Sequence, residues 1–225
     1  MDYKKLTYKT IVLDFDGTVC RLFAHYDLQH TKRTLEQILP AYGVDFNEYD
    51  DCFDVYHAIR SQLSNPAQRI DALSAADRII EQAECEAIDT CTDIPGLDNF
   101  LKRCGLHHIQ LGIATNNSPK CVLKYWKRKG LTDLPPIVGR DISHIEHLKP
   151  DPWSLNKVIE TLHTPKNDIL FIGDSPTDYE CAVRAQVDFL GITATEKKQK
   201  RFETQQISIP LIKSYDMLWI PDTIL

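Results

Sequence analysis

The stretch Thr10-Ile11-Val12-Leu13-Asp14-Phe15-Asp16-Gly17-Thr18 decides how the rest of the chain is read. Its first part, Thr10 to Phe15, is a β-branched, apolar run, and such a run stopping at polar groups and glycine reads as a buried strand. The strand ends on two carboxylates. Side chains alternate along a strand, so Asp14 and Asp16 should leave on one face while Phe15 turns toward the core. Repulsion between paired carboxylates raises the proton affinity of one, which separates a nucleophilic carboxylate from a protonated acid. A turn in which an aspartate caps the chain ahead of Gly17 is the simpler alternative.

Working outward, three more apolar runs look alike: Ile109 to Thr115, Asp168 to Gly173 and Asp188 to Thr193, with a short strand near Ile137-Val138. Helix-length amphipathic segments separate them. Ser118-Pro119, Asp151-Pro152 and Ser175-Pro176 each place a capping residue before a proline, opening helices that run to about Lys129, Leu162 and Ala185. This β-α-β alternation predicts an α/β fold, a Rossmann-like three-layer core with a parallel sheet between helices.

Val19 to Thr92 breaks the alternation. It contains no convincing strand, and helical patterns over 27–40, 45–63 and 67–89 describe an inserted all-helical cap subdomain. The expected division is therefore a core of residues 1–18 and 93–225 with a cap of 19–92. Ile94-Pro95-Gly96 turns the chain back into the core, and Leu97, Phe100 and Leu101 share the next helical face. Near the C-terminus, Ile207 to Ile212 reads as an edge strand and Tyr215 to Trp219 as a short helix. The charge run Glu196 to Arg201 reads as a solvated loop or helix end, with ligand binding the lesser alternative.

Composition bounds the function. The chain has 225 residues, 43% of them hydrophobic and 26% charged, which suits one folded domain with a sizeable insertion. Its 26 Lys+Arg against 32 Asp+Glu give a net charge of −6, so the basic field that selects nucleic acid is missing. The seven cysteines form no C-x-x-C pair and read as small buried hydrophobes. The apolar stretch after the N-terminus is cut short by Asp14 and serves neither as a signal sequence nor as a membrane span, so a reducing cytoplasm is the expected setting.

Three further clusters carry chemistry. At Thr115-Asn116-Asn117-Ser118 a hydroxyl, amides and the free N–H groups of the following helix converge, which suits phosphate oxygens; Ser118 serves equally well as a mere N-cap. Lys149 stands in His147-Leu148-Lys149-Pro150-Asp151-Pro152, where a rigid frame presents an ammonium to a phosphate or a carboxylate, the alternative being a solvated surface lysine. Gly173-Asp174-Ser175-Pro176-Thr177-Asp178 supplies hard oxygen ligands of the kind magnesium prefers. Ser175 and Asp178 also have the spacing of a capping box, which leaves Asp174 the safer ligand.

In their order along the chain, D-F-D-G-T, Thr115-Asn116, Lys149 in K-P-D-P, and G-D-S-P-T-D resemble the four motifs of the haloacid dehalogenase superfamily. The helical insertion after the first motif resembles the cap of its phosphoglycolate phosphatase and β-phosphoglucomutase branch. The resemblance implies that Asp14 is the nucleophile, forming an aspartyl-phosphate, and that Asp16 protonates the leaving oxygen and then activates water. It implies Mg2+ held by Asp14, the Asp16 carbonyl and Asp174 with Asp178 nearby, while Thr115, Asn116 and Lys149 bind the phosphoryl group. Asp16 argues for a phosphatase or phosphomutase, because dehalogenases typically lack an acid there. The implied substrate is a small phosphorylated metabolite able to fit under the cap. Val19-Cys20-Arg21 departs from the Asp-Ser pair of many relatives, and Arg21, His25 and Arg69 are candidates for meeting an anion from the cap side or for ordinary hinge and surface positions. A phosphomutase and a non-catalytic receiver-type signalling module are the competing readings.

Overall fold

Alternation of faces along the first, fully buried strand of the core sorts the molecule into layers. The computed structural model describes residues 4–219. In strand β2 (Thr10–Leu13), Ile11 and Leu13 join one apolar cluster and Val12 joins another on the opposite face. β1 (Lys4–Lys5) precedes it in the chain, outside the main sheet. After β2 come β3 (Cys20–Arg21), α1 (Leu28–Ile38), α2 (Val55–Gln62), α3 (Pro66–Ala87) and β4 (Thr92–Asp93). The chain then runs through α4 (Leu97–Leu106), β5 (Gln110–Ala114), α5 (Pro119–Arg128), β6 (Ile137–Val138), α6 (Trp153–Leu162) and β7 (Ile169–Gly173). It ends with α7 (Pro176–Ala185), β8 (Asp188–Ile192), α8 (Glu196–Thr204), β9 (Leu211–Ile212) and β10 (Leu218–Trp219).

The main sheet has six parallel strands in the order β6-β5-β2-β7-β8-β9. Helices α4 and α5 cover one face with Leu97, Phe100, Val122 and Tyr125. Helices α6 and α7 cover the other with Leu155, Val158, Cys181 and Ala182. This is the expected three-layer α/β core. The chain leaves β2 for β5 and β6 on one side and returns to β7 on the other, so the carboxyl end of β2 lies at a topological switch point, where open α/β sheets bind ligands.

The inserted segment has an apolar cluster of its own, including Leu35, Leu39, Phe46, Val55, Ile59, Leu73 and Ile80. Ala87, Ile88 and Cys91, at the end of α3 and just after it, pack instead into the core cluster.

Several local expectations change. The segment read as free of strands begins with β3, which pairs antiparallel with β4 as Cys20↔Asp93 and Arg21↔Thr92, tying the outgoing and returning chains together. The pattern over 45–63 is helical only from Cys52, because Asp45 accepts from the Asn47 N–H at 3.0 Å and Asp51 from the Phe53 N–H at 3.0 Å; such local bonds compete with a helix. Glu196 to Thr204 is a nine-residue helix, so of the two readings of the charge run the helix end holds and the loop does not. The edge strand shrinks to Leu211–Ile212, since Pro210 has no N–H for the ladder. In the segment from Tyr215, one 3-10 turn over Tyr215–Met217 leads into β10, which pairs with β1. The parts of the expected core at residues 1–3 and 220–225 lie outside the described residues.

Candidate active site

Asp14 extends β2 by one residue, its N–H donating to the Ile172 carbonyl at 2.9 Å. The carboxylate emerges at the sheet mouth, 6% exposed, while Phe15 packs edge-on against Tyr125 in the core. Asp16 is half-buried, and its Oδ1 accepts from the Leu22 N–H at 2.8 Å, which fixes its direction. Between them and the next strand Gly17 takes φ +91°, and a Cβ there would lie 1.8 Å from Asp174 Oδ2. Glycine is needed both for the left-handed turn and for the approach of that carboxylate.

Lys149 is the hub. Its Nζ donates to Asp14 Oδ1 at 2.5 Å, to Asp178 Oδ1 at 2.6 Å and to the Ala114 carbonyl at 3.2 Å, and its side chain is 3% exposed. Asn116 clamps the same residue from behind: Asn116 Oδ1 accepts from the Lys149 N–H at 2.8 Å, and Asn116 Nδ2 donates to the Lys149 carbonyl at 3.3 Å. Thr115 Oγ1 donates to Asn117 Oδ1 at 3.0 Å and accepts from the Asn117 N–H at 3.2 Å.

The start of α5 is not free to hold an anion. Glu84, fully buried on α3, accepts from the Ser118 N–H at 3.0 Å and from Asn117 Nδ2 at 2.9 Å, and Ser118 Oγ takes the Lys120 N–H at 3.2 Å. A carboxylate of this chain therefore occupies the Asn117 and Ser118 donors at the helix start, leaving Thr115 and Asn116 as the residues of this cluster that line the cavity, and Ser118 is an N-cap.

On β7 and α7 both readings of Asp178 are realised at once. Its Oδ2 accepts from Ser175 Oγ at 2.6 Å, from the Ser175 N–H at 3.1 Å and from the Asp174 N–H at 3.2 Å, completing a capping box, while its Oδ1 meets Lys149. One oxygen each from the buried residues Asp14, Asp174 and Asp178 lie within 4.8 Å of one another. Asp174 Oδ2 is buried, with the Lys198 ammonium as its ion-pair partner. Three converging hard carboxylate oxygens fit a magnesium ion. The Asp16 carboxylate stands outside this group.

The electrostatics follow from burial. Desolvation pushes Asp14 above its usual range against the pull of Lys149. It raises Asp16 to about 6 against Lys198, and Asp174 to about 8 against the same lysine. Burial would lower Lys149, but Asp14 and Asp178 outweigh it and the ammonium is held more firmly than usual.

These groups line a cavity of about 260 Å³, together with Thr115, Asn116, Phe53 and Tyr56 from the inserted segment, and Lys198 and Arg201 from α8. The sequence signalled neither aromatic. Lys198 was visible only as part of a charge run. Arg21 is not among the residues lining this cavity: it lies on β3, exposed, its Nε donating to Thr92 Oγ1 at 3.1 Å. Arg69 points elsewhere too, donating to the Leu63 carbonyl at 2.9 and 2.7 Å, and His25 is exposed away from the lining.

A second buried group was missed. Arg140 donates to Glu84 at 3.0 and 2.9 Å, to Asp77 at 2.6 Å and to the Asn116 carbonyl at 2.8 Å, with its guanidinium 5.1 Å from the Tyr56 ring centre. It joins the inserted helices to the loop that holds Lys149. The available signal was Glu84, an acid on the stripe Ala76, Ile80, Ala83 and Ala87 that α3 buries.

Fold and site together define a class: a three-layer α/β protein with a lysine-bridged carboxylate cluster at the switch point of its sheet. The family model of haloacid dehalogenase-like hydrolases matches residues 11–192, and the chain belongs to that family of enzymes. Among curated proteins it is 32% identical over 94 residues to the phosphoglycolate phosphatase of Rhodospirillum rubrum, a match covering 41% of this chain and 38% of that protein. Among solved structures, CbbY of Rhodobacter sphaeroides in complex with xylulose-1,5-bisphosphate is 17% identical with a TM-score of 0.63, covering 92% of this chain and 94% of the other. A subfamily IA hydrolase of Geobacter sulfurreducens is 22% identical with a TM-score of 0.53, covering 82% and 89%. These structures share the fold. Family membership sets aside the receiver-type signalling reading. No helix among the described residues is long and apolar enough to cross a membrane.

Proposed function

We propose that the protein is a magnesium-dependent phosphatase that hydrolyses a small phosphorylated metabolite through an aspartyl-phosphate on Asp14. The observation that carries this reading is the 2.5 Å contact of Asp14 with a buried lysine, next to an acid, Asp16, raised to about 6. In the first step an Asp14 oxygen attacks phosphorus, the bond to the leaving oxygen breaks, and Asp16 gives that oxygen its proton. In the second, the Asp16 carboxylate takes a proton from water as the water oxygen attacks phosphorus, releasing phosphate and restoring Asp14.

Lys149 balances the charge of Asp14 and, with Thr115 and Asn116, holds the phosphoryl group in line. Asp14 and Asp174 would hold magnesium with the Asp16 carbonyl, and Asp178, whose oxygens are engaged by Lys149, Ser175 and Asp174, acts through water. When bound, the ion neutralises charge on the carboxylates and on the phosphoryl oxygens. Residues 19–92 serve as the cap, with Phe53 and Tyr56 excluding water from the first step. The cavity volume of about 260 Å³ supports a small substrate, not a nucleic acid or a membrane lipid. Phosphoglycolate belongs in the first panel because of the Rhodospirillum rubrum relative. A cytoplasmic setting suits the free thiols.

The test is turnover of p-nitrophenyl phosphate and a metabolite panel with and without Mg2+. Magnesium-dependent phosphate release lost in Asp14→Asn is expected; full activity of that variant would overturn the reading. Isomerisation without net phosphate release, followed with a bisphosphate present, would instead identify a phosphomutase.

A further inference from the structure

We propose that Lys198 is a tethered cation that neutralises Asp174 in the metal-free site and that a divalent ion must displace in order to bind. The inference rests on the phosphatase reading and adds a residue outside the four motifs. Lys149 reaches Asp14 and Asp178, and among the described residues Lys198 is the cation paired with Asp174. Asp174 is 3% exposed, and an uncompensated carboxylate there would be costly. The Lys198 ammonium stands against Asp174 Oδ2, one of the three carboxylate oxygens that converge as metal ligands would.

The tether is built into the fold. Lys198 occupies the first turn of α8, whose start is capped by Thr195 Oγ1 accepting the Lys198 N–H at 3.4 Å and whose far end is anchored by the fully buried Phe202. The ammonium also lies 3.1 Å from where a Gly17 Cβ would stand, so it reaches across the first motif to the fourth. A divalent ion and an ammonium cannot share one oxygen, because like charges at contact distance repel strongly in a buried site. Metal loading is therefore an exchange. The displaced ammonium stays at a mouth it shares with Arg201, where it faces an incoming phosphate dianion. The site thus becomes receptive to substrate as it takes up metal.

Isothermal titration of the whole protein with MgCl2 at one fixed pH above about 8, where protons no longer compete for Asp174, tests this. Lys198→Met and the more polar Lys198→Gln should both bind Mg2+ about tenfold more tightly than the unmodified protein, the effect of removing one competing charge. Lys197→Met, the same charge change at an exposed position of the same helix, should leave the affinity unchanged. Thermal melts give a second readout: both Lys198 variants should melt lower without metal and gain more from Mg2+. Equal or weaker Mg2+ binding by the Lys198 variants, the same gain from Lys197→Met, or binding by no form of the protein would overturn the exchange. Magnesium-dependent turnover by the unmodified protein judges the phosphatase reading separately, so unchanged affinities alongside normal turnover would remove the exchange alone.

Discussion

At the residue scale the two first-motif aspartates have different environments, which supports the roles proposed for them. Asp14 is paired with a lysine, whereas Asp16, raised to about 6, is the proposed acid. Asp16→Asn should lower turnover of alkyl phosphates by about 10²- to 10⁴-fold, the usual range for a lost general acid, and that of p-nitrophenyl phosphate much less, because a good leaving group needs no proton. Steady-state kinetics on both substrates checks the contrast. The pH dependence of metal binding has a definite sign. Without metal, Asp174 is raised to about 8 and Asp14 is also raised, so protons compete with a cation for these oxygens. Mg2+ affinity should rise with pH and level off above about 8, and calorimetry near pH 7 in buffers of different ionisation enthalpy should detect proton release. These carboxylates hold protons more tightly folded than unfolded, so the stability they lend is present below the unfolded value of 3.8 and is lost as pH rises through their folded values. Magnesium should therefore raise the melting temperature more at pH 8 than at pH 5.

At the scale of elements, what the sequence revealed depended on how local the signal was. The cap-proline pairs at Ser118 and Ser175 announced helices that begin at Pro119 and Pro176, and the apolar runs announced four strands of the sheet. The role of α8 was hidden. Its charge run is the ordinary pattern of a solvated face, and only the fold, which sets α8 between β8 and β9, brings Lys198 to Asp174. Arg140 was equally hidden, since its partners Asp77 and Glu84 are more than fifty residues away. Arg21 shows the reverse case. It is near the first motif in sequence, but the β3–β4 pairing sets it opposite Thr92 and it does not line the cavity. The Arg140 group carries its own expectation. Arg140→Met leaves Glu84 buried without its cation and should cost about 3–5 kcal/mol in denaturant unfolding, and Arg140→Met combined with Glu84→Gln should recover part of that loss. An unchanged midpoint for the single variant would show that the buried pair does not hold α3 to the core.

At the scale of the whole molecule, a net charge of −6 describes the protein poorly where it matters. Asp14, Asp16, Asp174 and Asp178 gather at one mouth with Lys149, Lys198 and Arg201, so a divalent ion would convert an acidic cluster into a receptor for an anion. The inserted segment lines this mouth with Phe53 and Tyr56 while Arg140 and Glu84 fasten its longest helix to the loop that follows β5. The central claim is that the phosphoryl group passes through Asp14. The most direct measurement is to quench the enzyme during turnover with Mg2+ and substrate, reduce it with borohydride, and locate the modified residue by peptide mass spectrometry. Reduction of an aspartyl-phosphate should leave homoserine in place of Asp14 and at no other position. Rapid phosphate release with Asp14 unmodified at every quench time, or modification of a different carboxylate, would contradict the account.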